Sequence, residues 1–244
     1  NGTDYFVKKA LFATNSFAVE VAGQDVNNTI IKHTDDEFND KFVLASLGKY
    51  GLKYNIRDIQ LHNMAFGGKM KLTIRNVKLY FNKELSTLNY GIITPENAES
   101  KIDINQLDID LDGVTNYYGI SCAYLENVIF KKIKIKNCTY PIRFTQGLRN
   151  SCIEDCDIDG SISTTGILFM GNKLHSYLNN KIRCNTVRNV RKESISFDII
   201  GNHYQNSPKI FELAITKIEN VNHEEKECKK IYVKVRKVIS DAHE

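Results

Sequence analysis

The chain has 244 residues, 42% hydrophobic and 25% charged, with 33 Lys and Arg against 29 Asp and Glu. That length and composition suit a sizeable folded core and exclude a disordered chain. The net charge of +4 is spread along the chain and does not ask for nucleic acid; no apolar run approaches the roughly 18 residues of a membrane-spanning helix, so no membrane insertion is expected.

In chain order, residues 1–50 read as an N-terminal cap and irregular first coils. Thr3 or Asp4 can cap a short helix over 3–15, with Phe6, Ala10 and Leu11 on one side. Residues 17–21, 29–32 and 42–47 read as strands. From 51 to 221 a short pattern recurs: apolar, two residues, apolar, one residue, apolar or Asn. It reads Ile56-Arg-Asp-Ile59-Gln-Leu61, then Ile74-Arg-Asn-Val77-Lys-Leu79, and returns with its centre at Leu107, Ile133, Cys156, Val187 and Ile218. A second strand falls between these centres, opened by Gly91-Ile92, Gly119-Ile120, Pro141-Ile142, Gly166-Ile167 and Ser194-Ile195. A Tyr precedes three of these, at Tyr90, Tyr118 and Tyr140. The alternation within each strand has period two. Units this small bury their apolar faces only by stacking, so the expected fold is an all-β solenoid. Residues 222–244 form a closing segment, with a charged loop or helical turn over 222–230 and a final strand over 231–236.

The residue after each centre gives the series Gln60, Lys78, Asp108, Lys134, Asp157, Arg188, Glu219, which alternates in sign from Lys78 onward. In a parallel stack these would be neighbours about 4.8 Å apart, where opposite charges help. The acidic clusters Asp103, Asp108, Asp110, Asp112 and Glu154, Asp155, Asp157, Asp159 could suggest a metal or catalytic site. Their spacing fits no EF-hand, and a ladder with Lys134 and Lys136 accounts for Asp108, Asp110, Asp157 and Asp159. No metal and no cofactor is expected. The six cysteines form no C-x-x-C pair and read as buried free thiols.

The runs 71–82, 101–113, 125–137 and 148–160, each followed by a Gly-Ile-type strand, resemble coils of a right-handed parallel β-helix. This is the pectate-lyase-like superfamily, which includes phage tailspikes and polysaccharide depolymerases. The resemblance implies a groove on the outside of the stacked strands that binds or cleaves polysaccharide, an extracellular or virion-surface location, and a homotrimer as one way to cover an apolar outer face. The N-T-D, G-H-G and R-I-K motifs of polygalacturonase-like hydrolases are absent; Gly201-Asn202-His203 only echoes the second. No Trp is present for the W-x-D-H motif of pectate lyases. No catalytic residue carries over from either group.

Candidate chemistry therefore comes from the residues themselves. If Ile120, Ile142, Ile167 and Ile195 point inward, Ile93, Ser121, Arg143, Leu168 and Ser196 point out, and Arg143 could hold a carboxylate. The stretch 193–204 is the most site-like. Glu193 and Asp198 offer the acid and the base or nucleophile of a glycoside hydrolase. His203, with Tyr204, Arg143 or Arg149, offers the base and cation of a polysaccharide lyase. The alternative is a non-catalytic structural or glycan-binding module of a fibre or adhesin. A leucine-rich-repeat interaction domain is the further alternative, since its signature overlaps the first pattern but requires helices between repeats.

Overall fold

The structure is a computed structural model that describes residues 3–7, 11–13, 18–33, 44–46, 52–81, 90–94, 100–111, 118–160, 163, 165–171, 177–191, 193–199, 211–214, 216–219 and 225–228. It shows a parallel β-solenoid built from two stacked sheets, one of 14 strands and one of nine. No element among the described residues is helical, and a second strand stands where a leucine-rich repeat would place a helix.

The long sheet is built on Leu52–His62, Met70–Tyr80, Lys101–Asp110 and Ile129–Lys136. Its register pairs Ile59 with Val77, Val77 with Leu107 and Leu107 with Ile133, as the apolar centres require. The second sheet pairs Phe66 with Ile92, then Ile120, Ile142, Ile167 and Ile195 in turn. The 18-residue step from Ile59 to Val77 is a full turn, because the short strand Phe66–Gly68 supplies its second-sheet rung.

Each long strand bends at one residue of positive φ. The column is Asp58 (φ 56), Asn76 (φ 52), Gln106 (φ 69), Lys132 (φ 54), Asp155 (φ 54) and Cys184 (φ 54). Left-handed backbone costs a non-glycine residue about 1–2 kcal/mol, and hydrogen bonds between rungs offset part of it. Asn76 Nδ2 donates to Asp58 Oδ1 at 2.9 Å, and Gln106 Nε2 donates to Asn76 Oδ1 at 3.0 Å. A second corner is an asparagine column, Asn127, Asn150 and Asn179, at φ 54, 49 and 53, because Asn tolerates this region best after Gly. In the coils after Ile129–Lys136 the bend divides the long strand, as in Cys152–Glu154 followed by Asp157–Asp159.

The core fills the space between the sheets. Phe144 and Phe169 stack with centroids 5.4 Å apart, and Phe130 and Tyr177 continue the column at 5.9 Å on either side. Cys122, Cys138 and Cys156 are buried free thiols, as expected, and burial pushes Cys122 and Cys156 up to about 12. Cys152 is half-buried and Cys184 is exposed, at the bend. Packing leaves no room for a side chain at the Tyr-Gly corner. A Cβ on Gly119 would lie 2.5 Å from the Pro141 carbonyl oxygen and 3.1 Å from Ile135 Cγ2.

Three expectations are corrected. The N-terminal capping helix over 3–15 is not shown: Thr3–Val7 and Leu11–Ala13 are strands. Thr3–Val7 pairs in parallel with Thr29–His33, so this aromatic and β-branched segment joins the sheet rather than covering it. In the C-terminal segment, Glu225–Cys228 is a strand, antiparallel to Thr216–Glu219, where a loop or helical turn was expected. The strand expected over 231–236 lies outside the described residues. The centres Val187 and Ile218 belong two positions further along: Val187 pairs with Ile158, and Asn185 takes the slot of Cys156. Asn185 is 1% exposed, and its side chain receives the Cys156 N–H at 3.0 Å while donating to the Ile153 carbonyl at 3.1 Å. A buried amide thus does in this coil what an apolar residue does in the others.

Two stability changes of opposite sign follow. Gly119→Ala forces the corner apart and lowers unfolding free energy by about 1–3 kcal/mol. Lys132→Gly relieves the left-handed strain at an exposed position and raises it by about 0.5 kcal/mol, the strain relieved less the added chain entropy. Urea unfolding followed by circular dichroism measures both.

Candidate functional site

Beyond the bend, outward positions of the long sheet form two rows. The first is Gln60, Lys78, Asp108, Lys134 and Asp157, in consecutive register. The second contains His62, Tyr80, Asp110 and Lys136. Together they line an open groove of about 440 Å³ that runs across the rungs and ends at Arg188.

Most charges in the groove are held by neighbours. Lys136 Nζ lies 2.7 Å from Asp110 Oδ2, and Asn137 Nδ2 donates to Asp110 Oδ1 at 2.8 Å. Arg188 grips Asp157 with both terminal nitrogens and reaches Asp159 through Nε at 3.5 Å. Lys78 Nζ donates to Asn27 Oδ1 at 2.8 Å. The ring of His62 sits 5.3 Å from that of Tyr80, and Tyr80 keeps 37% of its surface exposed. Between these fixed groups stand Asp108 and Lys134. They are register neighbours, yet among the described residues neither side chain makes a hydrogen bond or an ion pair.

The expected charge ladder is therefore present with two changes. Lys78, Asp108, Lys134 and Asp157 do occupy adjacent rungs, but Asp157 is followed by Thr186. Arg188 and Glu219 continue the Asp159 row instead, a consequence of the two-residue shift at Asn185. Asp157 and Asp159 are neutralised by Arg188, while Lys136 pairs with Asp110 as expected. No cluster of His, Cys, Asp and Glu suited to a metal occurs among the described residues. Asp112 is not among them.

The residues singled out from sequence are spread over the second sheet. Arg143 stands in register between Ser121 and Leu168, on the row expected to face out. Its guanidinium lies 3.9 Å over the Tyr118 ring and 6.0 Å from that of Tyr140, and its Nε donates to Ser121 Oγ at 3.1 Å. Tyr118 and Tyr140 stack on each other at 5.4 Å, so the recurrent turn tyrosines pack on neighbours. Arg149 is six positions further along the same strand, on the order of 20 Å away at the rise of a strand. Its Nε is buried without a hydrogen-bond partner; the guanidinium adjoins the Tyr124 phenol, which donates to Glu126 Oε2 at 3.1 Å. Burial is the main cause that pushes the Tyr124 phenol up. Glu193 and Asp198 lie at register positions opposite Thr165 and Met170 of the preceding rung. Five strand positions put their backbones on the order of 16 Å apart. His203 and Tyr204 lie outside the described residues.

On the other side of the bend, Glu154 is clamped between Lys131 Nζ at 2.9 Å and Arg183 Nη2 at 2.6 Å. The Lys131 hydrogen bond, more than burial opposes, holds this carboxyl below its usual range. No family model, curated protein or solved structure matched the chain in comparison.

The Glu154 clamp makes stability sensitive to acid. A carboxylate whose folded pKa is depressed stabilises above its unfolded value, about 4.3, and loses that contribution as pH falls through the folded value. The wild type is therefore more stable than Glu154→Gln at pH 7, and the gap closes below about pH 4. Denaturant midpoints of both proteins across that range measure it.

Proposed function

We propose that this protein binds a polysaccharide along the outside of the long sheet, with the sugar chain running across the rungs in the groove between Tyr80 and Arg188. The observation that carries this reading is the pair Asp108 and Lys134. In a ladder whose other members are mostly bonded to neighbours, these two adjacent groups offer a free acceptor and free donors to solvent. Sugar hydroxyls satisfy both. The exposed ring of Tyr80 gives a flat apolar face on which a pyranose can stack. The groove is open along its length, as a polymer requires and a small metabolite does not. A parallel β-solenoid suits carbohydrate-active and structural roles alike. Such a role fits an extracellular or virion-surface protein, with self-association across the second sheet's outer face.

Cleavage is the second reading, and one backbone spacing lies at the edge of what it needs. Asp108 and Asp157 are two rungs apart, or about 9.6 Å between backbones at the spacing of parallel strands. Inverting glycosidases place their carboxyl groups about 6.5–9.5 Å apart, with one protonating the leaving oxygen and the other activating water. The Asp108 carboxyl makes no side-chain bond among the described residues and is open to a ligand. Chemistry at Glu193, Asp198 and His203, with Arg143, Arg149 and Tyr204 holding the chain, is the competing location on the second sheet.

Calorimetric titration with a panel of soluble polysaccharides tests the reading. Asp108→Asn and Tyr80→Ala are each expected to weaken binding about tenfold, near 1.4 kcal/mol, without changing the melting temperature. Reducing ends that vanish in Asp108→Asn would identify hydrolysis in this groove; reducing ends that vanish only in Asp198→Ala would move it to the second sheet. No binding by folded protein across the panel, or binding indifferent to both groove variants, overturns it.

A further inference from the structure

On the near side of the bend the same sheet carries a different surface. Lys53 pairs in register with Lys71, and Lys71 with Lys101, so three lysines stand on three consecutive rungs. Four positions along, Arg57 pairs with Arg75. Between these rows lie Asn55, Thr73 and Asp103. All three lysines and Arg75 are exposed. Arg57 is committed to Glu20 and Asp58, each at 3.3 Å, and Lys101 lies 3.6 Å from Asp103. Among the described residues, the side chains of Lys53, Lys71 and Arg75 make no ion pair or hydrogen bond. The patch opens into a groove of about 510 Å³ lined by Thr73, Arg75, Lys101, Asp103, Asn105 and Lys131.

Like charges directly opposite on neighbouring strands destabilise a sheet. At rung spacing, about 4.8 Å, a row of three is a standing cost that Gln or Thr at any one position would reduce. Beyond the bend, the row Lys78, Asp108, Lys134 and Asp157 alternates in sign and avoids that cost. A line of cations at regular spacing is relieved when a polymer with regularly spaced anions lies along it and the counterions of both are released.

We propose that this surface binds an acidic polysaccharide, with Lys53, Lys71, Lys101 and Arg75 on its carboxylate or sulfate groups and Asn55 and Thr73 on its hydroxyls. The proposal rests on the polysaccharide reading above, names the class of polymer, and places its charges on a track separate from the Asp108 groove. Single-stranded nucleic acid is the less fitting polyanion. It is held by aromatic side chains on which bases stack, and no outward position of this patch among the described residues is aromatic.

The test uses the full chain with polygalacturonate and dextran sulfate, with dextran as the neutral control and an oligothymidylate as the competing polyanion. Wild type is expected to bind both acidic polymers more tightly than dextran, with affinity falling steeply as salt rises. Combined Lys53→Gln, Lys71→Gln and Lys101→Gln should lose at least about tenfold in that affinity and flatten the salt dependence. The melting temperature should hold or rise, since repulsion is removed, so a fall would mark the lysines as structural and overturn the proposal. Equal binding by the triple variant overturns it too, as does tighter binding of the oligothymidylate than of polygalacturonate. If Tyr80→Ala and Asp108→Asn are silent while the triple variant loses acidic-polymer binding, the groove reading fails and the lysine surface stands alone.

Discussion

Parallel, in-register stacking is the constraint on which everything else in this molecule depends. Each residue lies about 4.8 Å from its counterparts in the coils before and after. A feature that works once must therefore work beside a copy of itself. Apolar residues satisfy this easily, and Ile92, Ile120 and Ile142 simply repeat. Phe144 over Phe169, nearly coplanar at 8° between rings, does so with aromatic stacking in addition. Polar residues satisfy it when a side chain both gives and accepts. That is why the left-handed bend runs through Asp58, Asn76 and Gln106, each amide donating to the residue of the preceding coil.

The same constraint governs charge. A charged row is stable if its signs alternate, and the row Lys78, Asp108, Lys134, Asp157 alternates. It is stable too if an arginine reaches sideways, as Arg188 does to Asp157 and Asp159. Departures from these two solutions are informative because the fold penalises them. The three stacked lysines are one departure, and Asp108 and Lys134, which alternate in sign yet form no side-chain bond among the described residues, are an incomplete case of the first solution. The side chains of neither group contribute to the core. Both lie on the outer face of the same sheet, on either side of the bend.

The fold was legible in the sequence because burial imposes a repeating apolar pattern on every coil. The second sheet's stacked isoleucines and the shared register of Ile93, Ser121, Arg143, Leu168 and Ser196 were readable for this reason, although Ser121, expected to point out, is 3% exposed. Reading failed where a polar residue took an apolar slot. In Ile182-Arg-Cys-Asn185-Thr-Val187 the centre is Asn185, so counting apolar residues shifts the register by two. The signal that finds it is the pair Ile182 and Val187, which matches Ile153 and Ile158 position for position. Leu213 and Ile218 repeat that match one coil later. The helix expected over 3–15 fails differently: capping residues describe what a helix start needs, but the neighbouring strand edge offers Thr3–Val7 a full ladder of backbone hydrogen bonds.

The candidate site was less legible than the fold, and the reason is physical. Sequence gives the row a charge stands on, but not whether the side chain reaches its neighbour. Asp110 and Asp108 are two residues apart on the same strand, and each faces a lysine in register. One is bonded at 2.7 Å and the other is free. What separates them is the third partner: Asn137, at the corner, also donates to Asp110 and so fixes the carboxylate facing Lys136. Asp108 sits two residues inside the end of the strand Lys101–Asp110, and among the described residues no corner side chain donates to it. A group in that position keeps its rotamer freedom and its hydration, and a ligand that removes both must return equivalent hydrogen bonds. Polyhydroxylated chains carry such donors and acceptors along their whole length, which is why the proposed binding is assigned to Asp108 rather than to the already bonded Asp110.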